Sequence, residues 1–252
     1  MTQSKPPSEP SREWFRDWFG EEYLELYPHR DEAEAARAVR LYLEAAPPSA
    51  PVLDLACGGG RHLRELDEAG VEAVGLDLSR VLLAEARRAG SGVPLVRADM
   101  RRLPFRDEAF GGLTSFFTSF GYFPSVAEDR SVIRGVRRVL RRGGTFMLDF
   151  FNADRVRETL VPRDERRIGD RRVVQTREIV GDTVIKHIRV FDEGTTAGGE
   201  RRFEERVRLY GAAELDAMLA AEGLRVDGRY GDYAGAPVDA AAERLILVGA
   251  AA

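Results

Sequence analysis

The sequence predicts an α/β fold: a doubly wound, mostly parallel sheet carrying an antiparallel β insertion. Three observations lead to it. An apolar strand, a glycine loop and a helical pattern follow one another at residues 52–66. Apolar strands then alternate with helical patterns as far as residue 152, which is typical of parallel sheets. After residue 170 the pattern alternates between apolar and charged residues, which indicates antiparallel strands.

The first of these stretches, residues 52–62, reads VLDLACGGGRH. Three consecutive glycines allow a tight turn and a close approach of the backbone to a ligand. A helix is expected from about Arg61, so the stretch is the first half of a nucleotide-binding βαβ unit. Asp54 interrupts the apolar strand, and burying a carboxylate without partners is costly. We interpret it as an acceptor for loop amides or for a cationic ligand.

The residues of this loop exclude two common nucleotide-binding motifs. A dinucleotide fingerprint that begins at Gly58 needs a third glycine where Leu63 stands. A phosphate loop needs Lys followed by Ser or Thr, which is absent here. Two further strands end in acids, at Asp77 and Asp99. An acid about 20 residues beyond a glycine loop is placed to hydrogen-bond ribose hydroxyls, so Asp77 is the candidate ribose ligand.

The loop resembles the D-x-[AG]-x-G-x-G motif of class I S-adenosylmethionine-dependent methyltransferases at Asp54, Ala56, Gly58 and Gly60. The resemblance implies that these four residues bind the cofactor, although Ala56 replaces the commoner glycine. It also implies a Rossmann-like, seven-stranded methyltransferase sheet whose last strand is antiparallel. The implied cofactor is S-adenosyl-L-methionine, and its product is S-adenosyl-L-homocysteine.

The same resemblance assigns roles along the following strands. Asp77 and Leu78 are expected at the ribose, and Asp99 and Met100 at the adenine. Phe116, near the end of the fourth strand at residues 112–117, is expected beside the methyl group. Aromatic faces suit a sulfonium because the ring quadrupole attracts a cation.

The stretch after that strand reads FTSFGYF and offers candidates for the methyl acceptor. Ser119 and Tyr122 are candidates for orienting a nucleophile, and the alternative is that these residues only pack. No residue is assigned as a catalytic base. His29, His62, His187, Tyr122 and Tyr230 are the available candidates.

The N-terminal region, residues 1–30, is interpreted as a polar tail followed by one aromatic helix. This helix either packs against the sheet or closes over the cofactor as a lid. The resemblance implies that Tyr27 reaches the methionine end of the cofactor. His29 or Arg30 is expected near the cofactor carboxylate.

Beyond that region we expect a cofactor-binding core at residues 31–160, the antiparallel insertion at 161–210 and a C-terminal part of the core at 211–252. The insertion is expected to have three strands, with its apolar face over the acceptor site or over a second subunit in a homodimer. Val184 and Ile188 share one face of the middle strand. His187 lies on the other face and is a candidate substrate contact if that face turns inward.

Composition limits the partners. The net charge of −4 and the lack of a basic tail make nucleic acid an unexpected partner. No apolar run approaches a membrane span and no signal peptide is seen, so we expect a cytoplasmic protein without a membrane partner. One cysteine, Cys57, and no ligand spacing predict no metal site.

We therefore predict a methyltransferase that transfers a methyl group to an N or O nucleophile of a small-molecule acceptor. The insertion resembles that of small-molecule enzymes, including those that methylate amino groups of deoxyamino sugars. Two alternatives stay open: an RNA (tRNA) methyltransferase, and a protein that binds the cofactor without turnover.

Overall fold

The computed structural model describes residues 13–27, 32–90, 92–192 and 199–252. The helices of this part are α1 (Phe15–Trp18), α2 (Glu21–Leu26), α3 (Glu32–Ala45), α4 (Arg61–Glu68), α5 (Arg80–Arg88), α6 (Val126–Val139), α7 (Ala153–Thr159) and α8 (Ala212–Ala221). The strands are β1 (Val52–Leu55), β2 (Ala73–Asp77), β3 (Leu95–Arg97), β4 (Phe110–Ser115), β5 (Leu140–Phe151), β6 (Arg163–Ile168), β7 (Arg171–Val180), β8 (Thr183–Asp192), β9 (Glu200–Arg208), β10 (Leu224–Tyr230) and β11 (Arg244–Ala251).

Seven strands form the main sheet in the order β10-β11-β5-β4-β1-β2-β3. Strands β1 to β5 pair in parallel, and β11 is antiparallel to both β5 and β10. The predicted seven-stranded, doubly wound sheet is confirmed. The strand order reverses between β1 and β4, and ligands bind at such a point beyond the carboxyl ends of the strands.

Both faces of the main sheet are covered, which explains why its central strands are buried on both sides and mostly apolar. Neighbouring residues of a strand point to opposite faces. Val52 packs into the cluster formed with α3, α4 and α5, whereas Leu53 packs into the cluster formed with α6 and α8. All residues of β1 and β4 are buried. The ends of these strands are therefore fixed in a rigid frame.

The insertion is a separate antiparallel sheet of four strands in the order β6-β7-β8-β9, one strand more than predicted. The extra strand is β6, RDERRI, in which charged residues occupy both faces and hide the alternation. The hairpin between β7 and β8 turns at Gly181 and Asp182 as expected, with Val180 opposite Thr183.

The predicted N-terminal aromatic helix is two short helices, α1 and α2, which break at Gly20. The Trp18 side chain is fully buried, and its ring centroid lies 5.0 Å from that of Phe203 on β9. Glu22 on α2 pairs with Arg201, whose Nε lies 3.1 Å away. The N-terminal helices are thus packed on the insertion sheet. The predicted tail, His29 and Arg30 lie outside the described residues.

Within the described ranges, each helix is too short or too polar to cross a lipid bilayer.

Candidate active site

One large cleft, of about 1300 Å³, lies beyond the carboxyl ends of the parallel strands. Its loop end is lined by Gly58, Asp77, Leu78, Asp99 and Met100. Its insertion end is lined by Asp164, Arg177, Val184, Lys186 and Glu205. The residues that follow β4 and the N-terminal helices lie along the walls between these ends. The volume exceeds the range of about 300–1,000 Å³ typical of a pocket for one small ligand.

Asp54 lies behind the glycine loop and does not line the cleft. Its Oδ1 accepts a hydrogen bond from Thr114 Oγ1 at 3.0 Å, and its Oδ2 has no hydrogen-bond partner among the described residues. Burial raises the pKa of this carboxyl to about 7, with the nearby Asp77 adding to the shift and Thr114 opposing it. A buried acceptor atom without a donor suits a cationic group that approaches through the loop.

Left-handed backbone conformations give the glycine loop its shape. The φ angles are +55° at Gly58 and +77° at Gly60, where α4 begins. A Cβ at Gly60 would lie 3.0 Å from the Ala86 Cβ, so this glycine serves close packing and does not line the cleft. Ala56 does line the cleft and adopts φ +59°, a conformation that glycine adopts more readily than alanine.

Asp77 joins the glycine loop to the end of β2. Its Oδ2 accepts from the Gly58 amide at 2.9 Å, and its Oδ1 accepts from the Ser79 amide at 2.7 Å. Burial raises the pKa of Asp77, and these amide hydrogen bonds oppose the rise. Each carboxylate oxygen keeps further acceptor capacity, and the side chain borders the cleft beside Leu78. Asp77 therefore sits where a ribose hydroxyl could donate to it.

Asp99 and Met100 follow β3 and line the cleft, but Asp99 is already held by a cation. Arg101 donates to both oxygens of Asp99, from Nε at 3.0 Å and from Nη2 at 2.6 Å. Burial raises the pKa of Asp99, but the hydrogen bonds from Arg101 outweigh it and leave that pKa below its usual range. Arg101 also pairs with Glu13 and Glu128, so it ties this strand end to the N-terminal segment and to α6. No pattern in the sequence indicated this bridge.

Phe116 lies one residue beyond β4 and borders the cleft. Its ring stacks on the imidazole of His62, with ring centroids 4.1 Å apart and an angle of 16° between the planes. His62 is buried in the first turn of α4 and also lines the cleft. The two rings form one wall near the glycine loop.

The next two residues, Phe117 and Thr118, form a left-handed corner with φ angles of +56° and +59°. The fourth strand was expected to run through Phe117, whereas β4 ends at Ser115. A non-glycine residue in this region costs about 1–3 kcal/mol and persists only where its surroundings impose it. Both residues of the corner line the cleft.

Ser119 and Tyr122 also line the cleft, but both hydroxyls are engaged inside the protein. The Ser119 hydroxyl donates to the Phe116 carbonyl at 2.9 Å, and the Tyr122 hydroxyl donates to the Thr118 carbonyl. Both hydroxyls therefore stabilise the chain around the corner. Because each already donates its hydrogen, it can only accept a hydrogen bond from a ligand.

Tyr27 lines the cleft at the C-terminal end of α2. Its hydroxyl accepts from Gln175 Nε2 at 3.2 Å, and the Arg166 guanidinium lies 4.9 Å from its ring centroid. The Lys186 ammonium lies 5.9 Å from the same ring. Tyr27 thus stands against the insertion sheet at the side of the cleft.

Charged pairs from the insertion form the far end of the cleft. Glu205 pairs with Lys186 and accepts from the Trp18 indole at 2.6 Å. Asp164 pairs with Arg177 at 2.5 Å. Because Ile188 is fully buried, its face of β8 turns inward.

His187 consequently lies on the outer face of the insertion sheet. Its ring lies 3.4 Å from Glu204 and 3.6 Å from Glu178, and it does not line the cleft. A substrate contact at His187 was predicted only if its face of the sheet turned inward. Because that face turns outward, the condition is not met.

The residues present fit S-adenosylmethionine. The unpaired Oδ2 of Asp54 suits its ammonium, Asp77 suits its ribose hydroxyls, and the Phe116 ring suits its sulfonium. When bound, the sulfonium supplies a methyl group that is already activated for displacement. The protein's part is to align the acceptor with that methyl group and to exclude water. No group of three or more candidate metal ligands occurs within the described ranges.

Comparison with known proteins agrees with this geometry. A family model for a methyltransferase domain matches residues 52–144. The chain is 30% identical over 204 residues to dTDP-3-amino-3,4,6-trideoxy-alpha-D-glucopyranose N,N-dimethyltransferase of Streptomyces venezuelae, covering 77% of this chain and 84% of that protein. It is 31% identical over 206 residues to cypemycin N-terminal methyltransferase of a Streptomyces species, covering 78% and 81% of the two chains.

A solved structure also resembles this fold. It is that of an amino pentose methyltransferase of Micromonospora echinaspora with S-adenosylmethionine bound, with a TM-score of 0.72, 25% identity and coverage of 92% and 97% of the two chains. The cofactor of the present chain is accordingly S-adenosyl-L-methionine. From the fold, the loop and these relatives together, this chain belongs to the class I S-adenosylmethionine-dependent methyltransferase family.

Proposed function

We propose that this enzyme methylates the amino group of a small amino sugar, carried on a nucleotide as in the relative from Streptomyces venezuelae. The observation that carries the proposal is the shape of the cleft: it continues from the glycine loop to the charged face of the insertion. The two relatives named above from Streptomyces are N-methyltransferases by name, and two of the three proteins named above act on amino sugars.

The insertion end is chemically suited to a polar acceptor. Asp164, Arg177, Lys186 and Glu205 present two carboxylates and two cations, and Val184 adds an apolar surface. An amino sugar offers hydroxyls and an ammonium to such groups. An amine attacks only in its unprotonated form, so its ammonium must first pass a proton to water or to a base, and the two carboxylates are the candidate bases at this end of the cleft.

A second candidate acceptor is the α-amino group of a peptide, which the cypemycin relative supports. It shares the nucleophile with the first and differs in the remainder of the molecule. The two candidate acceptors differ in length, so they can be distinguished by how long an acceptor the cleft admits beyond the insertion.

The test is a turnover assay with S-adenosylmethionine and a panel of acceptors. The panel holds a dTDP-linked amino sugar, the free amino sugar, a peptide with a free N-terminus, a phenol and tRNA. The readouts are formation of S-adenosylhomocysteine and the mass of the product. We expect one or two methyl groups on the dTDP-linked amine and none on the phenol or the tRNA. Methylation of the peptide alone selects the second candidate. Cofactor binding without any product overturns both candidates.

A further inference from the structure

The left-handed corner after β4 is held by one residue from the neighbouring strand. The Phe117 amide donates to Asp149 Oδ2 at 2.6 Å, and the Thr118 amide donates to the Asp149 carbonyl at 2.9 Å. Thr118 is β-branched, and such residues rarely adopt positive φ without restraint. Asp149 supplies that restraint at both positions.

Asp149 is in turn fixed by two residues from the C-terminal part of the chain. It is fully buried near the end of β5. The Tyr233 hydroxyl donates to Oδ2 at 2.5 Å, and Arg244 Nε donates to Oδ1 at 2.5 Å. A buried carboxylate needs both a countercharge and hydrogen bonds, and Arg244 and Tyr233 provide them.

The same arginine also reaches the corner. The Arg244 guanidinium lies 5.1 Å from the Phe117 ring centroid and 5.2 Å from that of Tyr233. The Arg61 guanidinium lies 4.7 Å from the Phe117 ring. Asp149 itself does not line the cleft, whereas Phe117 and Thr118 do. Any effect of Asp149 on a ligand in the cleft therefore passes through the corner.

We propose that Asp149 is a positioning residue for methyl transfer, which keeps the Phe117–Thr118 corner in the left-handed geometry that shapes the wall between the two ends of the cleft. The inference rests on methyl transfer to an acceptor in this cleft and not on which amine it is. A shift of about 1 Å in such a wall lowers turnover by up to roughly a hundredfold without changing the chemistry.

A second buried triad gives a matched control. Asp129 is fully buried, accepts from the Tyr210 hydroxyl at 2.8 Å and lies 3.5 Å from Arg208 Nε. None of these three residues lines the cleft. Asp149→Asn and Asp129→Asn each neutralise a carboxylate held by a tyrosine and an arginine, but only the first touches the corner.

The experiment measures kcat, acceptor KM, cofactor Kd and thermal stability for both variants of the full chain. The acceptor is the one that the wild-type enzyme turns over in the panel above. We expect Asp149→Asn to lower kcat about 10- to 100-fold with a cofactor Kd within about twofold of wild type. Asp129→Asn should lower stability and keep kcat within about twofold. Equal losses of kcat in the two variants, or an unchanged kcat in Asp149→Asn, would overturn the proposal.

A rescue variant separates positioning from a general loss of stability. Asparagine tolerates the left-handed region better than threonine, so Thr118→Asn should reduce the corner's need for Asp149. The loss of kcat from Asp149→Asn should be smaller in the Thr118→Asn background than in the wild type.

Hydrogen exchange provides a readout that needs no acceptor and so stands even if the proposed amine is wrong. The Phe117 amide, whose acceptor is the Asp149 side chain, should exchange faster in Asp149→Asn and at the wild-type rate in Asp129→Asn. Unchanged exchange at the corner in Asp149→Asn would refute the positioning role.

Discussion

The two ends of the cleft are built in different ways. At the loop end, the Gly58 amide and the Asp77 carboxylate that it meets are 19 positions apart, and both belong to one βαβ unit. At the insertion end, the Trp18 indole reaches Glu205 across 187 positions. The corner between them depends on Asp149 and Tyr233, which are 84 positions apart. The loop end is therefore built from residues that are close together in the sequence. The insertion end and the corner are built from residues that are far apart in it.

This difference implies that the two ends respond separately to substitution. Changes at the loop end should alter cofactor affinity, because its acceptors are fixed by backbone amides of the same unit. Changes at the insertion end should alter acceptor KM and leave cofactor affinity unchanged.

The largest effect is expected from Asp77→Ala at the loop end. The substitution removes the expected ribose acceptor and leaves the Gly58 and Ser79 amides without their carboxylate partner. Loss of a hydrogen bond to a charged group is worth roughly 1.5–3 kcal/mol, so cofactor Kd should rise about 10- to 150-fold in titration calorimetry. Asp77→Asn keeps one acceptor oxygen and should lose less. An unchanged Kd in Asp77→Ala would remove the ribose role.

A smaller effect, on stability, is expected from Gly60→Ala. Its φ of +77° is unfavourable for alanine, and the new Cβ would meet the Ala86 Cβ at 3.0 Å. We expect a loss of about 1–3 kcal/mol in the free energy of unfolding, measured by urea denaturation. The matched control is Gly59→Ala, where the nearest atom is the Glu85 Cγ at 3.6 Å. Similar losses in both variants would mean that the packing of Gly60 on α5 is not what constrains the loop.

At the insertion end, Glu205→Gln keeps an oxygen for the Trp18 indole but removes the charge that pairs with Lys186. Because partly exposed pairs are worth up to about 1 kcal/mol, acceptor KM should rise by up to roughly fivefold, with cofactor Kd unchanged. His187→Gln, on the outer face of the same sheet, should change neither quantity. A shift in cofactor Kd caused by Glu205→Gln would contradict the separation of the two ends.

The smallest effect is a pH dependence of cofactor binding that arises from Asp54. With a pKa of about 7 in the free protein, this carboxyl is mostly protonated at pH 6. A cofactor ammonium on the cleft side of the glycine loop lowers that pKa, so binding releases a proton below pH 7 and affinity rises with pH up to about 7. The raised pKa also affects the folding stability of the cofactor-free protein. It favours the folded state at low pH, and this contribution is lost as pH rises through 7.

Calorimetry at pH 6 in two buffers of different ionisation enthalpy measures the released proton. We expect up to about one proton for the wild type, none for Asp54→Asn and the wild-type value for Asp129→Asn. Equal proton release with and without Asp54 would separate this residue from the cofactor.

The same contrast explains how much could be predicted from the sequence. Asp54, Gly58 and Asp77 carry a spacing that the fold dictates, so the sheet and the loop end were predictable. Asp149 lies near the end of an apolar strand, much as Asp77 ends β2, which is a signal, but nothing in the sequence pairs it with Tyr233 and Arg244. These contacts depend on how the C-terminal segment returns to the sheet.

The insertion shows the same limit. The alternation along β8 predicted two faces but not which one turns inward, so the contact predicted for His187 stayed conditional on that choice. Which face turns inward depends on the packing of Trp18 against Phe203, and these two residues are far apart in the sequence.

The central claim, that the loop end holds the cofactor and the insertion end holds the acceptor, is tested most directly by a crystal structure with S-adenosylhomocysteine bound. We predict the ribose on Asp77, the adenine beside Asp99 and Met100, and the sulfur facing Phe116 and the Phe117–Thr118 corner. The space beside Lys186 and Glu205 should remain open to a second ligand. Density for the nucleoside at the insertion end, against Lys186 and Glu205, would contradict the account.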